Sequence, residues 1–218
     1  MRHGFIKVAA ATPDIRVADV DYNKGQIIKQ MDEAAEAGAK IIVFPELCIT
    51  GYTCSDLFLQ ESLLDGAEKA LLTLTEATRD KNMVVLAGLP LTVNGVLYNV
   101  AAVLHDGDIL GFVPKSYLPT YSEFYEGRHY HSGADIETDV LFNGRTYPFG
   151  TRLLFRCRQM PAFTLGIEIC EDLWVAQPPS ISHALAGATV IANLSASDET
   201  TGKDIYRRSL VSGQSARL

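Results

Sequence analysis

The runs Lys40–Phe44 and Met83–Gly88 are apolar almost without interruption. A strand with no polar alternation has to be covered on both faces, which restricts the chain to layered folds in which sheets are sandwiched. Helix-patterned sequence separates these runs. Strand-like Phe5–Ala10 is followed by a stripe of Ile27, Ile28, Met31, Ala34 and Ala35, with Asn23 and Gln26 spaced as a capping box and Gly38 as its stop. A second helix is predicted after Cys54-Ser-Asp, on Leu57, Leu63, Leu64, Ala67, Leu71 and Leu74. Leu97–Leu104 and Ile109–Val113 form a hairpin turned on His105-Asp-Gly-Asp, and an antiparallel pair argues for mixed sheets. Residues 116–150 read as an irregular excursion, and excursions of this length are usually functional. Strands then resume at Leu153–Phe155, Phe163–Ile169 and Thr189–Leu194, with helices at Ser180–Ala186 and Asp204–Arg217. The expected fold is a mixed α/β sandwich.

Three apolar runs end on a chemically capable side chain. Ile41-Ile-Val-Phe-Pro leads into Glu46, Asp108-Ile-Leu-Gly-Phe-Val-Pro into Lys115, and Ala162-Phe-Thr-Leu-Gly-Ile-Glu-Ile into Cys170. Acid, amine and thiol suffice for covalent acyl transfer. A cysteine attacks as thiolate and needs a base or a nearby cation. A glutamate can take the proton and return it to a leaving amine. A fixed lysine can face the oxyanion of the tetrahedral intermediate, a contribution of about 3 kcal/mol for one such donor. Taken singly, each residue also has a plain structural reading: Cys170 as a buried thiol, Lys115 as a solvated strand end, Glu46 as part of a turn. The set favours chemistry.

The 218 residues suffice for one large domain that buries about 70–75% of its unfolded surface. A net charge of −7, with lysines and arginines dispersed, leaves no footprint for nucleic acid or an anionic membrane. The opening residues lead into a strand instead of an apolar leader, so a cytoplasmic protein acting on small molecules is expected. Cys48, Cys54, Cys157 and Cys170 form no CxxC pair, and His129 and His131 lack ligand partners at suitable spacing, so neither disulfide nor metal is expected. The sequence ends inside a helical pattern, at Gly213-Gln-Ser-Ala-Arg-Leu218, and is expected to continue in a longer protein.

Phe44-Pro-Glu46-Leu, Pro114-Lys115-Ser-Tyr-Leu-Pro and Glu168-Ile-Cys170-Glu-Asp resemble, in order and spacing, the three signatures of the nitrilase superfamily. More narrowly, Lys115-Ser-Tyr-Leu-Pro-Thr-Tyr-Ser-Glu-Phe-Tyr-Glu126, Cys170-Glu-Asp-Leu-Trp and Ala192-Asn-Leu-Ser-Ala-Ser197 are similar to the glutaminase domains of glutamine-dependent NAD+ synthetases. The resemblance covers nearly all of residues 1–218 and implies an α-β-β-α sandwich that splits a carbon–nitrogen bond through a thioester. Cys170 would then be the nucleophile, Glu46 the general base and Lys115 the oxyanion group. Glu123 matches a second glutamate that positions the lysine and the substrate amide. Glu171 and Ser197 would hold the α-amino end of glutamine, with Tyr52 and Tyr121 shaping the pocket. Lys203 stands where relatives have an arginine for the carboxylate.

The same resemblance implies that ammonia passes to an ATP- and magnesium-dependent ligase domain that amidates nicotinic acid adenine dinucleotide. No SGGxDS loop occurs in this sequence, so that domain is expected outside it, and no cofactor is expected within it. The family's glutaminase domain continues past residue 218, so this one is expected to be incomplete. Homo-oligomers are expected, through a sheet edge left unpaired. Two alternatives stay open: a free-standing amidase or carbamoylase, and a catalytically silent interaction module.

Overall fold

In the computed structural model, which describes residues 5–218, the apolar runs become the inner strands of two sheets. The larger sheet has seven strands in the order β1-β2-β3-β4-β5-β7-β6. These are β1 (Val8–Ala10), β2 (Ile41–Val43), β3 (Val84–Val93), β4 (Val96–His105), β5 (Asp108–Pro114), β6 (Glu137–Phe142) and β7 (Arg145–Gly150). β1, β2 and β3 run parallel, β3–β4 and β4–β5 are antiparallel hairpins, β7 joins β5 in parallel, and β6 returns antiparallel on β7. The smaller sheet has β10 (Val190–Leu194) parallel to β9 (Thr164–Ile169), and β8 (Leu154–Arg156) antiparallel on its other side.

Helices α1 (Val20–Glu36) and α2 (Glu61–Ala77) cover one face of the large sheet. Ile27, Met31, Leu71 and Leu74 are fully buried there with Val85, Ala87, Leu89, Phe112 and Phe149. The opposite face presents Ile41, Leu86, Ala101, Val103 and Val113 to Leu165, Ile167, Ile169, Ala192 and Leu194 of the small sheet. Strands lying between two apolar layers have no solvent face, which is why β2 and β3 read as continuous apolar runs. Helix α4 (Pro179–Leu185) packs on β9, completing the α-β-β-α order.

Several local expectations are corrected. Asn23 does not open α1: Asp19 does, its carboxylate accepting the Tyr22 N–H at 3.1 Å. Asn23 is buried inside the helix, tied to Arg16 and to the Ile49 carbonyl. Gly38 does stop α1, at φ +79°. Leu57 belongs to a short 3-10 turn, Ser55–Leu59, ahead of α2. β3 runs on through Pro90 because its partner β2 pairs only with Val84–Leu86, so the proline faces no ladder on that side. Residues 116–150 are not wholly irregular, since β6 and β7 form a hairpin there. Its turn, Asn143-Gly144, repeats Asn94-Gly95 and Asp106-Gly107, all with positive φ at both residues, as two-residue hairpin turns require. Helix α5 (Lys203–Arg217) buries no side chain.

Candidate active site

Glu46 lies in a turn just past β2, and Lys115 immediately follows β5. Leu47, at φ +52°, and hydrogen bonds from Cys48 N to Pro45 O and from Gly51 N to Leu47 O fold the Glu46 turn over the sheet edge. The Glu46 carboxylate accepts from Lys115 Nζ at 2.6 Å, from Asn99 Nδ2 at 2.7 Å and from the Ala196 N–H at 3.2 Å. Both side chains of the ion pair are fully shut off from solvent. Such a pair is tolerated only when the remaining polar atoms are also satisfied. Lys115 meets this with a second carboxylate, Glu126, again at 2.6 Å.

That second partner corrects an expectation. Glu123 does not reach Lys115; it is exposed on the loop. Ser122 takes φ +52° and the Phe124 N–H closes on Tyr121 O, so the chain turns Glu123 outwards and carries Phe124 and Glu126 inwards. Glu126 starts the one-turn helix α3 (Glu126–His129). Two residues beyond it, Arg128 forms a double hydrogen bond with Asp56, anchoring the loop.

Cys170 stands at the end of β9, on the first residue of a 3-10 turn, Cys170–Leu173, with φ +45°. A side chain other than glycine in that region is strained, so something must hold it there. Asn193 on β10 does so from one side, accepting the Cys170 N–H at 3.1 Å and donating to its carbonyl at 3.4 Å. Buried Glu168 holds Asn193 in turn, at 3.3 Å. From the other side the buried Asp172 carboxylate accepts the N–H groups of Ile169, Ser116 and Tyr117, tying the cysteine turn to the residues beside Lys115. Neither Asn193 nor Asp172 stood out in the sequence as a site residue, although Asp172 lies within the Cys-Glu-Asp motif.

The electrostatics follow from burial. Burial works against the Lys115 charge, but Glu46 and Glu126 outweigh it and hold the ammonium above its ordinary range. Two carboxylates on one ammonium leave an excess of negative charge. Burial, and then Glu46, push Glu126 from 4.5 up to about 7. The Cys170 thiol rises from 9.0 to about 12, mainly through burial and then Glu46, with Lys115 and Ser195 opposing. A thiol raised this far keeps its proton until a base removes it.

Cys170 opens into a cavity of about 290 Å³ lined also by Tyr121, Glu123, Phe124, Glu171, Trp174, Ser197 and Lys203. The Tyr121 hydroxyl donates to the Glu171 carboxylate, at 2.9 Å to its nearer oxygen. Lys203 pairs with Asp198 and lies about 5.5 Å from the centres of the Trp174 and Phe124 rings. Tyr52 is placed differently: its hydroxyl donates to Glu126 at 2.6 Å, and its ring lines a neighbouring cavity with Tyr130. The Glu171 carboxylate, the Lys203–Asp198 ion pair and the Cys170 thiol thus surround one space.

Residues 7–214 match the family model for carbon-nitrogen hydrolases. The chain belongs to this family. Over 216 residues this chain is 45% identical to the glutamine-dependent NAD(+) synthetase of Mycobacterium bovis, covering 99% of this chain and 32% of that protein. The synthetase of the same name from Aquifex aeolicus is 34% identical over 206 residues, 94% of this chain and 33% of that one. The chain thus spans about a third of the length of these relatives. The crystal structure of the glutamine-dependent NAD(+) synthetase from Cytophaga hutchinsonii superimposes with a TM-score of 0.86 at 31% identity, over 96% of this chain and 33% of that chain. Among the described residues, no helix of this carbon-nitrogen hydrolase is long and apolar enough to cross a membrane.

Proposed function

We propose that residues 1–218 form an amidohydrolase domain that releases ammonia from glutamine through a Cys170 thioester. The observation that carries this reading is Cys170 opening into a cavity beside the buried Glu46–Lys115–Glu126 cluster, with Glu171 and Lys203 on its walls. Glutamine carries an ammonium and a carboxylate on the carbon remote from its side-chain amide. Glu171, backed by Tyr121, suits the ammonium, with Ser197 beside it. Lys203 suits the carboxylate as a point charge instead of a two-pronged guanidinium.

The steps follow from the donors and acceptors. Glu46 takes the Cys170 proton as sulfur attacks the amide carbon, and Lys115 faces the oxygen as it becomes an oxyanion. Glu46 then protonates the amide nitrogen. The C–N bond breaks, leaving ammonia and a thioester. Water, deprotonated by Glu46, attacks the same carbon, the C–S bond breaks with its electron pair going to sulfur, Glu46 returns the proton to Cys170, and glutamate leaves. Glu126 keeps Lys115 charged and aimed throughout.

In the longer protein, the ammonia would feed an ATP- and magnesium-dependent ligase domain that amidates nicotinic acid adenine dinucleotide, in a cytoplasmic homo-oligomer. The relatives' name and the share of their length that this chain covers support the link to NAD+ synthesis and to a further domain. The test is ammonia and glutamate release from glutamine, with asparagine and propionamide as competitors. Selective turnover of glutamine, absent in Cys170→Ala, is expected, while ammonia-driven synthesis in the full-length enzyme continues. Equal turnover of propionamide would instead indicate a general amidase, and activity surviving in Cys170→Ala would end the thioester mechanism.

A further inference from the structure

Segment Asn193-Leu-Ser-Ala-Ser197 touches the reacting groups at three points. Asn193 clamps the Cys170 backbone, the Ala196 N–H donates to Glu46 Oε2, and between them the Ser195 hydroxyl lies 3.4 Å from Cys170 Sγ. The Ser197 N–H donates to Ser195 Oγ at 3.3 Å, which takes one of that oxygen's two lone pairs, and the Ser195 O–H is directed at the sulfur.

The geometry points to Ser195 as a further catalytic residue, whose hydroxyl donates a hydrogen bond to Cys170 Sγ and stabilises the sulfur whenever it carries negative charge. Sulfur carries that charge twice if the amidohydrolase reading holds, and the turnover part of this inference rests on it. The first time is when Glu46 withdraws the proton and the S–C bond forms. The second is when water has added, the C–S bond breaks and the electron pair returns to sulfur. In the thioester between them the sulfur is neutral and a poor acceptor. The hydrogen bond is therefore stronger in both transition states than in the resting or acylated enzyme, which is the condition for lowering a barrier. A charge-assisted bond of this kind is about as strong as one pH unit of titration.

The groups facing the sulfur are Glu46, Lys115 and Glu126, with Tyr52 and Tyr121 close enough to feel its charge. Ser195→Ala leaves all of these in place. Burial and Glu46 hold the thiol up while Lys115 and Ser195 oppose them. Removing the hydroxyl should displace the titration further upwards.

The test is the rate of Cys170 alkylation by iodoacetamide between about pH 7 and pH 9.5, resolved by peptide mass spectrometry so that Cys157 does not contribute. In Ser195→Ala the plot of log rate against pH should shift by about one unit, making alkylation at pH 7 about tenfold slower. Ser195→Gly should match it, and Ser195→Thr, which keeps a hydroxyl, should return towards wild type. Coincident curves for wild type, Ser195→Ala and Ser195→Gly would overturn the proposal. In glutamine turnover, Ser195→Ala should lower kcat with little change in KM. A wild-type chain that does not hydrolyse glutamine would overturn the amidohydrolase reading and leave the alkylation curves to decide Ser195.

Discussion

The backbone of Leu47 crosses Gly88 so closely that a β-carbon built on Gly88 would lie 2.3 Å from the Leu47 nitrogen and 2.9 Å from the Glu46 carbonyl carbon. Neighbours this near are backbone atoms, which cannot swing aside as a side-chain tip can. Strand β3 thus seats the Glu46 turn through the absence of a side chain, while the Gly88 carbonyl accepts the Ile49 N–H at 3.2 Å. Gly88→Ala should push Glu46 away from Lys115. The expected result is a loss of turnover by about a hundredfold or more, since a displacement of about 1 Å at a reacting group costs that much. Kinetics on a folded Gly88→Ala variant would check this, and wild-type kcat/KM would show that the turn can shift harmlessly.

Lys115→Met leaves two buried carboxylates facing each other with no cation between them. Breaking a buried pair by removing one partner costs about 3–5 kcal/mol. Turnover should vanish and the unfolding midpoint should drop. Adding Glu126→Gln to Lys115→Met should recover part of the stability but none of the activity, because a neutral amide removes the repulsion without restoring the oxyanion donor. Denaturant titrations of the single and double variants measure both effects.

Glu126 also sets a pH dependence. Its folded-state pKa is raised from 4.5 to about 7. Its protonated form therefore favours the native state below about pH 4.5, and that contribution is lost as the pH rises through 7 and the native protein must ionise a carboxyl beside Glu46. Glu126→Gln cannot ionise. Melting temperatures at pH 5 and pH 8 should diverge less in Glu126→Gln than in wild type, and an equal or larger divergence would contradict the assignment.

A diazo-ketone analogue of glutamine should label Cys170, because that thiol combines the cavity, the base Glu46 and the cation Lys115. Cys48 is fully buried under a raised pKa of about 12, and Cys54 is buried with its sulfur turned to the carbonyls of Thr50 and Gly51. Partly exposed Cys157 is the relevant control. Peptide mapping that found the label on Cys157 ahead of Cys170 would count against the site.

The alternation of apolar runs with helical stripes is local information, and it was sufficient to read the layered α/β fold. The same locality marked Glu46, Lys115 and Cys170, because each ends a run whose direction the strand determines. Asp106-Gly107 was likewise readable as a turn, and Asn143-Gly144 carried the same signal inside a stretch taken as irregular. Other features depended on pairings between distant segments. Glu126, not Glu123, reaches Lys115 because a turn at Ser122 and the anchor to Asp56 rotate the loop, and no spacing rule encodes that rotation. Ser195, Asn193 and Asp172 become site residues only when β10 lies beside β9 and the cysteine turn meets the end of β5. The thiol's upward shift is likewise a tertiary property. The sequence supplies the charges near Cys170, but burial between the two packed sheets is the largest cause of the rise.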